Sequence, residues 1–121
     1  MQQAREQMAY FVVINQQGPG WVRSRPMRDQ RGWADHAVFV NALVREGFVV
    51  IAGPLGDGSL HRALLIVHAA NEGEIRARFE ADPWIRDGIL QTVKIDPWEI
   101  LASDDRLDAV LAELAKSAAR T

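Results

Sequence analysis

Residues 33–55, WADHAVFVNALVREGFVVIAGPL, join an amphipathic helix directly to an apolar strand, and this pairing decides the fold. Apolar side chains recur three and four positions apart between Phe39 and Val44, which is the spacing of one helix face. Gly47 follows as a helix stop, and the β-branched run behind it is typical of a strand. The stretch therefore predicts a helix at 33–46 that packs on a sheet to which 48–52 belongs.

The same criteria, applied outward from this stretch, give four strands and three helices. The predicted strands are 10–15, 48–52, 63–67 and 89–95, and the predicted helices are 33–46, 72–81 and 104–119. One face of the fourth strand is expected to carry Ile89, Gln91, Val93 and Ile95. Gly53-Pro54, Asp82-Pro83 and Asp96-Pro97 are expected to end the elements before them, because proline disfavours helices and central strands. The order β-α-β-β-α-β with an added C-terminal helix predicts an α+β ferredoxin-like fold.

Composition limits the chemistry that this chain can perform. Its 121 residues are 48% hydrophobic and 25% charged, which is typical of one globular domain covering 1–121. Within it, the ferredoxin-like core is expected at about 9–101 and the added helix at about 104–119. The chain has no cysteine, so disulfides, thiolate nucleophiles and cysteine-bound zinc are excluded.

Charge and hydropathy argue against two classes of partner. The net charge of −2 comes from 14 basic and 16 acidic residues, without the basic excess that is typical of nucleic-acid binding. The longest apolar runs fall well short of the ~20 residues that a membrane-spanning helix needs. The first 15 residues are too polar for a signal peptide. We therefore expect a cytoplasmic protein that binds neither nucleic acid nor a membrane.

The first three predicted strands are apolar at consecutive rather than alternating positions. An antiparallel sheet with one face in water alternates, so both faces of this sheet are expected to be covered. The two helices inside the ferredoxin-like order can cover only one face, which leaves the other to the C-terminal helix or to a second copy of the chain. A homodimer through the sheet faces, with the added helix packed against it, satisfies this pattern.

Two residues are candidates for proton-transfer chemistry. His36 lies on the inward face of the first helix, where a histidine is either an ordinary core residue or a functional group near the sheet. Asp82 is held by Pro83 at the end of the second helix, where it is either a plain helix stop or a partner for His36. A carboxylate that reaches an imidazole nitrogen fixes the tautomer and makes the other nitrogen a general base.

Further candidates lie near these two residues. Trp84 adjoins Asp82 and either belongs to the core or forms a wall of the pocket. His61 and His68 bracket the third strand and point to opposite faces, and no metal-, phosphate-loop or dinucleotide-binding motif is present, so neither a metal nor a cofactor is expected. A loop before the first helix is either solvated or a mobile lid that recruits an acidic substrate through guanidinium groups. Its four arginines are Arg23, Arg25, Arg28 and Arg31.

Five short motifs follow one another at fitting distances over about 10–101. They are Asp35-His36 with AVFVNALVREG, the strand VVIAGPL, the hairpin after it, and the late segments ADPW with DG and VKIDPWEIL. Together they resemble the YCII-related family of the dimeric α/β-barrel superfamily. The resemblance implies a ferredoxin-like subunit whose sheet packs on that of a second subunit. It also implies an active-site pair, which falls on His36 and Asp82, and a basic residue before the histidine, to which Arg28 lies nearest.

One characterised branch of that family eliminates hydrogen chloride from a chlorinated ring-derived acid, and similar barrels include lactone isomerases, monooxygenases and haem proteins. We therefore predict a cofactor-free small-molecule enzyme of lyase or isomerase type. His36 is the predicted acid/base, oriented by Asp82, and Arg28 and Trp84 are the predicted contacts to a small anionic substrate. Two alternatives stay open: a non-catalytic small-ligand-binding or assembly module, and a monooxygenase- or haem-type relative.

Overall fold

A computed structural model describes the backbone of residues 8–120 and the side chains of residues 8–116. It contains four strands, four helices and one short 3-10 turn at Met27–Asp29. The strands are β1 (Ala9–Gln17), β2 (Val49–Leu55), β3 (Arg62–Ala69) and β4 (Leu90–Trp98). The helices are α1 (Trp33–Arg45), α2 (Glu72–Phe79), α3 (Pro83–Arg86) and α4 (Asp105–Arg120).

The strands form one antiparallel sheet in the order β2-β3-β1-β4. This order, with α1 and α2 as the two crossovers, is the ferredoxin-like fold, so the predicted fold class is confirmed. The inner face of the sheet packs against α1 and α2, because Leu43, Ile75 and Phe79 share one core cluster with the inward side chains of the strands. Val13 and Val67 are at its centre and have no exposed surface.

The prediction that prolines end two of the strands is wrong. β2 continues through Pro54 to Leu55, and β4 continues through Pro97 to Trp98. Both are edge strands, so a residue without an N–H group can sit in them without leaving a neighbouring carbonyl unpaired.

The predicted face of the fourth strand is also wrong. A bulge interrupts the pairing of β1 with β4, since Ile14 pairs with Lys94 and the next residue, Asn15, pairs with Thr92. Val93 is therefore the extra residue and is 49% exposed. A bulge shifts the alternation of side chains by one position, which the sequence pattern of period two does not show.

The outer face of the sheet is only partly covered by α4. A crevice lined by Tyr10, Trp98 and Leu111 separates one end of this face from the helix. Two apolar side chains of α4, Leu107 and Val110, are nearly half exposed. None of the helices within residues 8–120 is both long and apolar enough to cross a membrane.

His68 couples the stability of the fold to pH. It lies on β3 opposite Tyr10, with the two rings stacked at 4.6 Å, and it is only 8% exposed. Burial lowers the pKa of His68, and the Glu74 carboxylate opposes this effect without reversing it. The folded state disfavours the cationic form of His68. The contribution of neutral His68 to stability is therefore complete above its unfolded-state pKa of about 6.5, and it is lost as pH falls through the lower pKa of the folded protein.

We expect the free energy of unfolding to fall below about pH 6.5, and to fall less steeply in His68→Phe, which keeps the stacked ring but cannot be protonated. Urea unfolding at several pH values measures both curves. Parallel curves for the two proteins over this range would contradict the assignment to His68.

Candidate active site

A cavity of about 310 Å³ lies between α1, the inner face of the sheet and the α2–α3 segment. Its walls are mostly apolar and include Phe39, Ala52 and Leu65. Its polar side chains are few, and they are Asn15, Arg28, His36, Asn41, His61 and Asp82. A largely apolar cavity with a few convergent polar groups is typical of a small-molecule site.

His36 and Asp82, 46 positions apart in the chain, meet in this cavity. Nδ1 of His36 lies 3.0 Å from Oδ1 and 2.9 Å from Oδ2 of Asp82. The side chain of His36 is 14% exposed and that of Asp82 is 5% exposed, so little water competes for this contact. His36 comes from the first turn of α1, and Asp82 comes from the junction between α2 and α3.

Asp82 is the N-cap of a short helix that the sequence analysis did not predict. The preceding helix ends at Phe79, and Pro83 occupies the first position of α3, where its missing N–H costs nothing. Oδ1 of Asp82 accepts a hydrogen bond from the backbone N–H of Trp84 at 2.9 Å. The expectation of a plain helix stop is therefore incomplete, because Asp-Pro here starts a helix and fixes the carboxylate as its cap.

Trp84 forms a wall behind the imidazole of His36. The two rings are stacked, with centroids 4.0 Å apart and planes inclined by 10°. The indole Nε1–H donates to the carbonyl oxygen of Arg31 at 2.7 Å, and Trp84 is 1% exposed. Its ring position is therefore fixed by packing and by a hydrogen bond, and His36 is held between this ring and the Asp82 carboxylate.

The arginine-bearing loop is tied together by Gln30, which is 3% exposed. The Gln30 side chain accepts from the N–H of Val22 and donates to the carbonyl oxygens of Val22 and Arg25. Of the four arginines, Arg28 lines the cavity, with its guanidinium carbon 5.6 Å from the ring centroid of Trp33. All four are exposed, and the other three are not part of the cavity wall.

Three polar residues of the cavity were not predicted as site residues, and they are Asn15, Asn41 and His61. His61 lies just before β3, stacked on Trp21 at 4.2 Å, and no local motif marks it. Burial lowers the pKa of His61, and the charge of His36 lowers it further. Asn15 is 4% exposed and accepts from the hydroxyl of Thr92 at 2.7 Å. The sequence does contain a signal for Asn15, because Asn15 is a polar residue at an inward-facing position of a mostly apolar strand.

Within residues 8–116, no three histidine, aspartate or glutamate side chains come together as a set of metal ligands. The titratable groups of the cavity are instead His36 with its carboxylate, His61 and Arg28. This arrangement places an imidazole bonded to a carboxylate, a second imidazole and a guanidinium around one largely apolar space.

Comparison with known proteins supports the family assignment and the fold. A family model described as the YCII-related domain matches residues 8–99. Among solved structures, the chain is similar to 5-chloro-2-hydroxyhydroquinone dehydrochlorinase (TftG) from Burkholderia phenoliruptrix AC1100, in complex with 2,5-dihydroxybenzoquinone. The TM-score is 0.56 at 20% sequence identity, over 74% of this chain and 93% of that one, which shows a shared fold. No curated protein matches the sequence.

Proposed function

The chain belongs to the YCII-related domain family, and from this premise we propose that it is a small-molecule enzyme in which His36 transfers a proton. The reaction is of lyase or isomerase type and acts on a small organic acid. One observation carries the proposal: both carboxylate oxygens of Asp82 lie within 3.0 Å of the imidazole Nδ1 of His36, inside a cavity.

The Asp82 contact gives His36 the properties of a general base. A carboxylate accepts a hydrogen bond from Nδ1–H, so the neutral imidazole carries its lone pair on Nε2. When Nε2 takes a proton, the negative charge of Asp82 stabilises the imidazolium that forms. Trp84 supports both groups, because its backbone N–H donates to the carboxylate of Asp82 and its ring stacks on the imidazole of His36.

The cavity favours a small, flat and acidic substrate. Its volume of about 310 Å³ is at the lower end of ligand sites, and its walls are mainly apolar and aromatic. Arg28 supplies a permanent positive charge at the cavity, and a guanidinium binds a carboxylate or an enolate oxygen well. The space is open rather than filled by side chains, which favours an enzyme or ligand site over a module that serves assembly alone.

The structural neighbour supports this substrate class by analogy. It is a dehydrochlorinase whose structure was solved in complex with 2,5-dihydroxybenzoquinone, a flat acidic ring compound. Loss of hydrogen chloride from an organic molecule requires removal of a proton and departure of chloride. We propose proton removal by His36 as the matching step in this chain, and the substrate itself as a ring compound or a ring-derived acid.

Substitutions in the pair test the proposal. Chloride release from 5-chloro-2-hydroxyhydroquinone and deuterium exchange into small enolisable acids provide the assays for the purified protein. His36→Gln is expected to abolish turnover, because no other group at that position takes the proton. Asp82→Asn is expected to lower kcat about a hundredfold or more. A neutral amide does not stabilise the imidazolium, and if its oxygen keeps the hydrogen bond from the backbone N–H of Trp84, its NH2 group faces Nδ1 and disfavours a proton there.

Asp35→Asn is the matched control, since Asp35 neighbours His36 on α1 but is exposed and outside the cavity wall. It should keep the activity of the unaltered protein. Full turnover in His36→Gln would refute the proposal. A haem Soret band in the purified protein would also contradict it and would favour the haem-type alternative.

For the assembly, we propose a homodimer through the outer face of the sheet. This face carries the apolar side chains of Val12, Ile14 and Ile66, which point away from the core. Ile51 pairs with Ile66 there and is 66% exposed, so α4 leaves this part of the face uncovered. A second copy of the same face would bury these side chains, and contiguous exposed apolar surface is typical of such interfaces.

A charge placed on this face tests the dimer. Ile51→Lys is expected to convert a dimer into a monomer at micromolar concentration, because two lysines would be buried without partners. Val38→Lys is the matched control, since Val38 is also 66% exposed but lies on α1, on the opposite side of the sheet. Sedimentation velocity measures both. A monomer for the unaltered protein, or a dimer for Ile51→Lys, would contradict the proposal.

A further inference from the structure

The cavity holds a second imidazole, His61, whose surroundings differ from those of His36. His61 is stacked on Trp21, with centroids 4.2 Å apart and planes inclined by 11°. Its backbone N–H donates to Oε1 of Gln17 at 2.8 Å. Within the part of the chain that the structure describes, no hydrogen bond reaches its ring, so both ring nitrogens are available to a bound molecule.

The position of His61 is built into the fold through Trp21. The loop that carries Trp21 is docked on the α3–β4 turn, because Gly18 N–H donates to the Ile89 carbonyl at 2.8 Å and Gly20 N–H donates to the Gly88 carbonyl at 2.9 Å. A Cβ at Gly18 would lie 2.3 Å from the Gly88 oxygen, so only glycine permits this approach. Trp21 also meets Trp84 edge to face, which links the supports of the two imidazoles.

The two histidines are suited to opposite tasks. His36 has a carboxylate on Nδ1 and can accept a proton, whereas His61 lies against an aromatic ring without such a partner. Burial is the main cause that lowers the pKa of His61 and so favours its neutral form, which offers one N–H donor, and the pKa falls further once His36 has taken up a proton. A neutral imidazole can donate its N–H to a substrate oxygen and stabilise the negative charge that this oxygen gains during a reaction.

We propose that His61 donates its ring N–H to the substrate oxygen on which negative charge develops when His36 removes a proton. This inference rests on the proposed function and names the substrate class: a carbonyl compound with an acidic C–H bond beside the carbonyl. The C–H bond breaks, its proton goes to Nε2 of His36, and its electron pair forms a C=C bond while the carbonyl π pair moves to the oxygen. The resulting enolate either takes a proton at another carbon or expels a leaving group with its electron pair.

A phenolate is a stable analogue of such an enolate, and 4-nitrophenol is a convenient probe because only its ionised form absorbs visible light strongly. Nitrobenzene has the same ring and nitro group but no oxyanion, so it reports on the shape of the cavity alone. We expect the unaltered protein to bind 4-nitrophenolate at least about tenfold more tightly than nitrobenzene, the effect of one hydrogen bond to a charged group.

Two variants separate the donor from the ring that carries it. His61→Phe keeps a ring for stacking on Trp21 but has no N–H, so the preference for 4-nitrophenolate should fall about tenfold while nitrobenzene binding stays unchanged. His61→Gln restores an N–H donor and should recover part of the lost affinity. Unchanged nitrobenzene binding also shows that the cavity of each variant is folded.

Two results would overturn the inference. One is equal binding of 4-nitrophenolate and nitrobenzene by the unaltered protein, and the other is full 4-nitrophenolate affinity in His61→Phe. Neither result bears on His36 as the base, which is judged by turnover in His36→Gln. Conversely, loss of the preference in His61→Phe together with full turnover in His36→Gln would keep the oxyanion donor and reject the proposed base.

Discussion

The hydrogen bond between the Asp82 carboxylate and Nδ1 of His36 joins two distant parts of the chain and sets the character of the cavity. It connects the first turn of α1 to the α2–α3 junction, and each partner is held by a further contact. The backbone N–H of Trp84 donates to the carboxylate and fixes it. The Trp84 ring, whose indole N–H donates to the Arg31 carbonyl oxygen, stacks on the imidazole and fixes it. A buried carboxylate without such partners would be costly, so the site is organised around satisfying this one charge.

Much of this arrangement was predictable, because it depends on local patterns. The helical spacing of 33–46 placed His36 on the inward face of α1, and the βαββαβ order placed both crossover helices on one side of the sheet. Asp82-Pro83 was recognisable as a break in the helix, and its second property, that of starting α3, follows from the same two residues. The family resemblance then selected His36 and Asp82 from the other polar side chains. The family match over 8–99 confirms the resemblance itself.

The rest depends on contacts that a linear pattern does not contain. Pro54 and Pro97 were expected to end strands, and only the strand order shows that both lie on free edges. The bulge at Val93 changes which side chains of β4 face inward, and the alternation of residues in the sequence does not indicate a bulge there. His61 stacks on Trp21 beside the cavity, and the loop that carries Trp21 docks on a turn distant in sequence.

The tautomer of His36 in the unaltered protein tests this account most directly. ¹⁵N chemical shifts and ring ¹H–¹⁵N correlations of labelled protein, recorded where the imidazole is neutral, distinguish a protonated Nδ1 from a protonated Nε2. We predict that the neutral ring carries its proton on Nδ1, hydrogen-bonded to Asp82, with an unprotonated Nε2, and that Asp82→Asn loses this preference. A neutral ring protonated mainly on Nε2 would contradict the account, because Asp82 would then not orient a base toward the cavity.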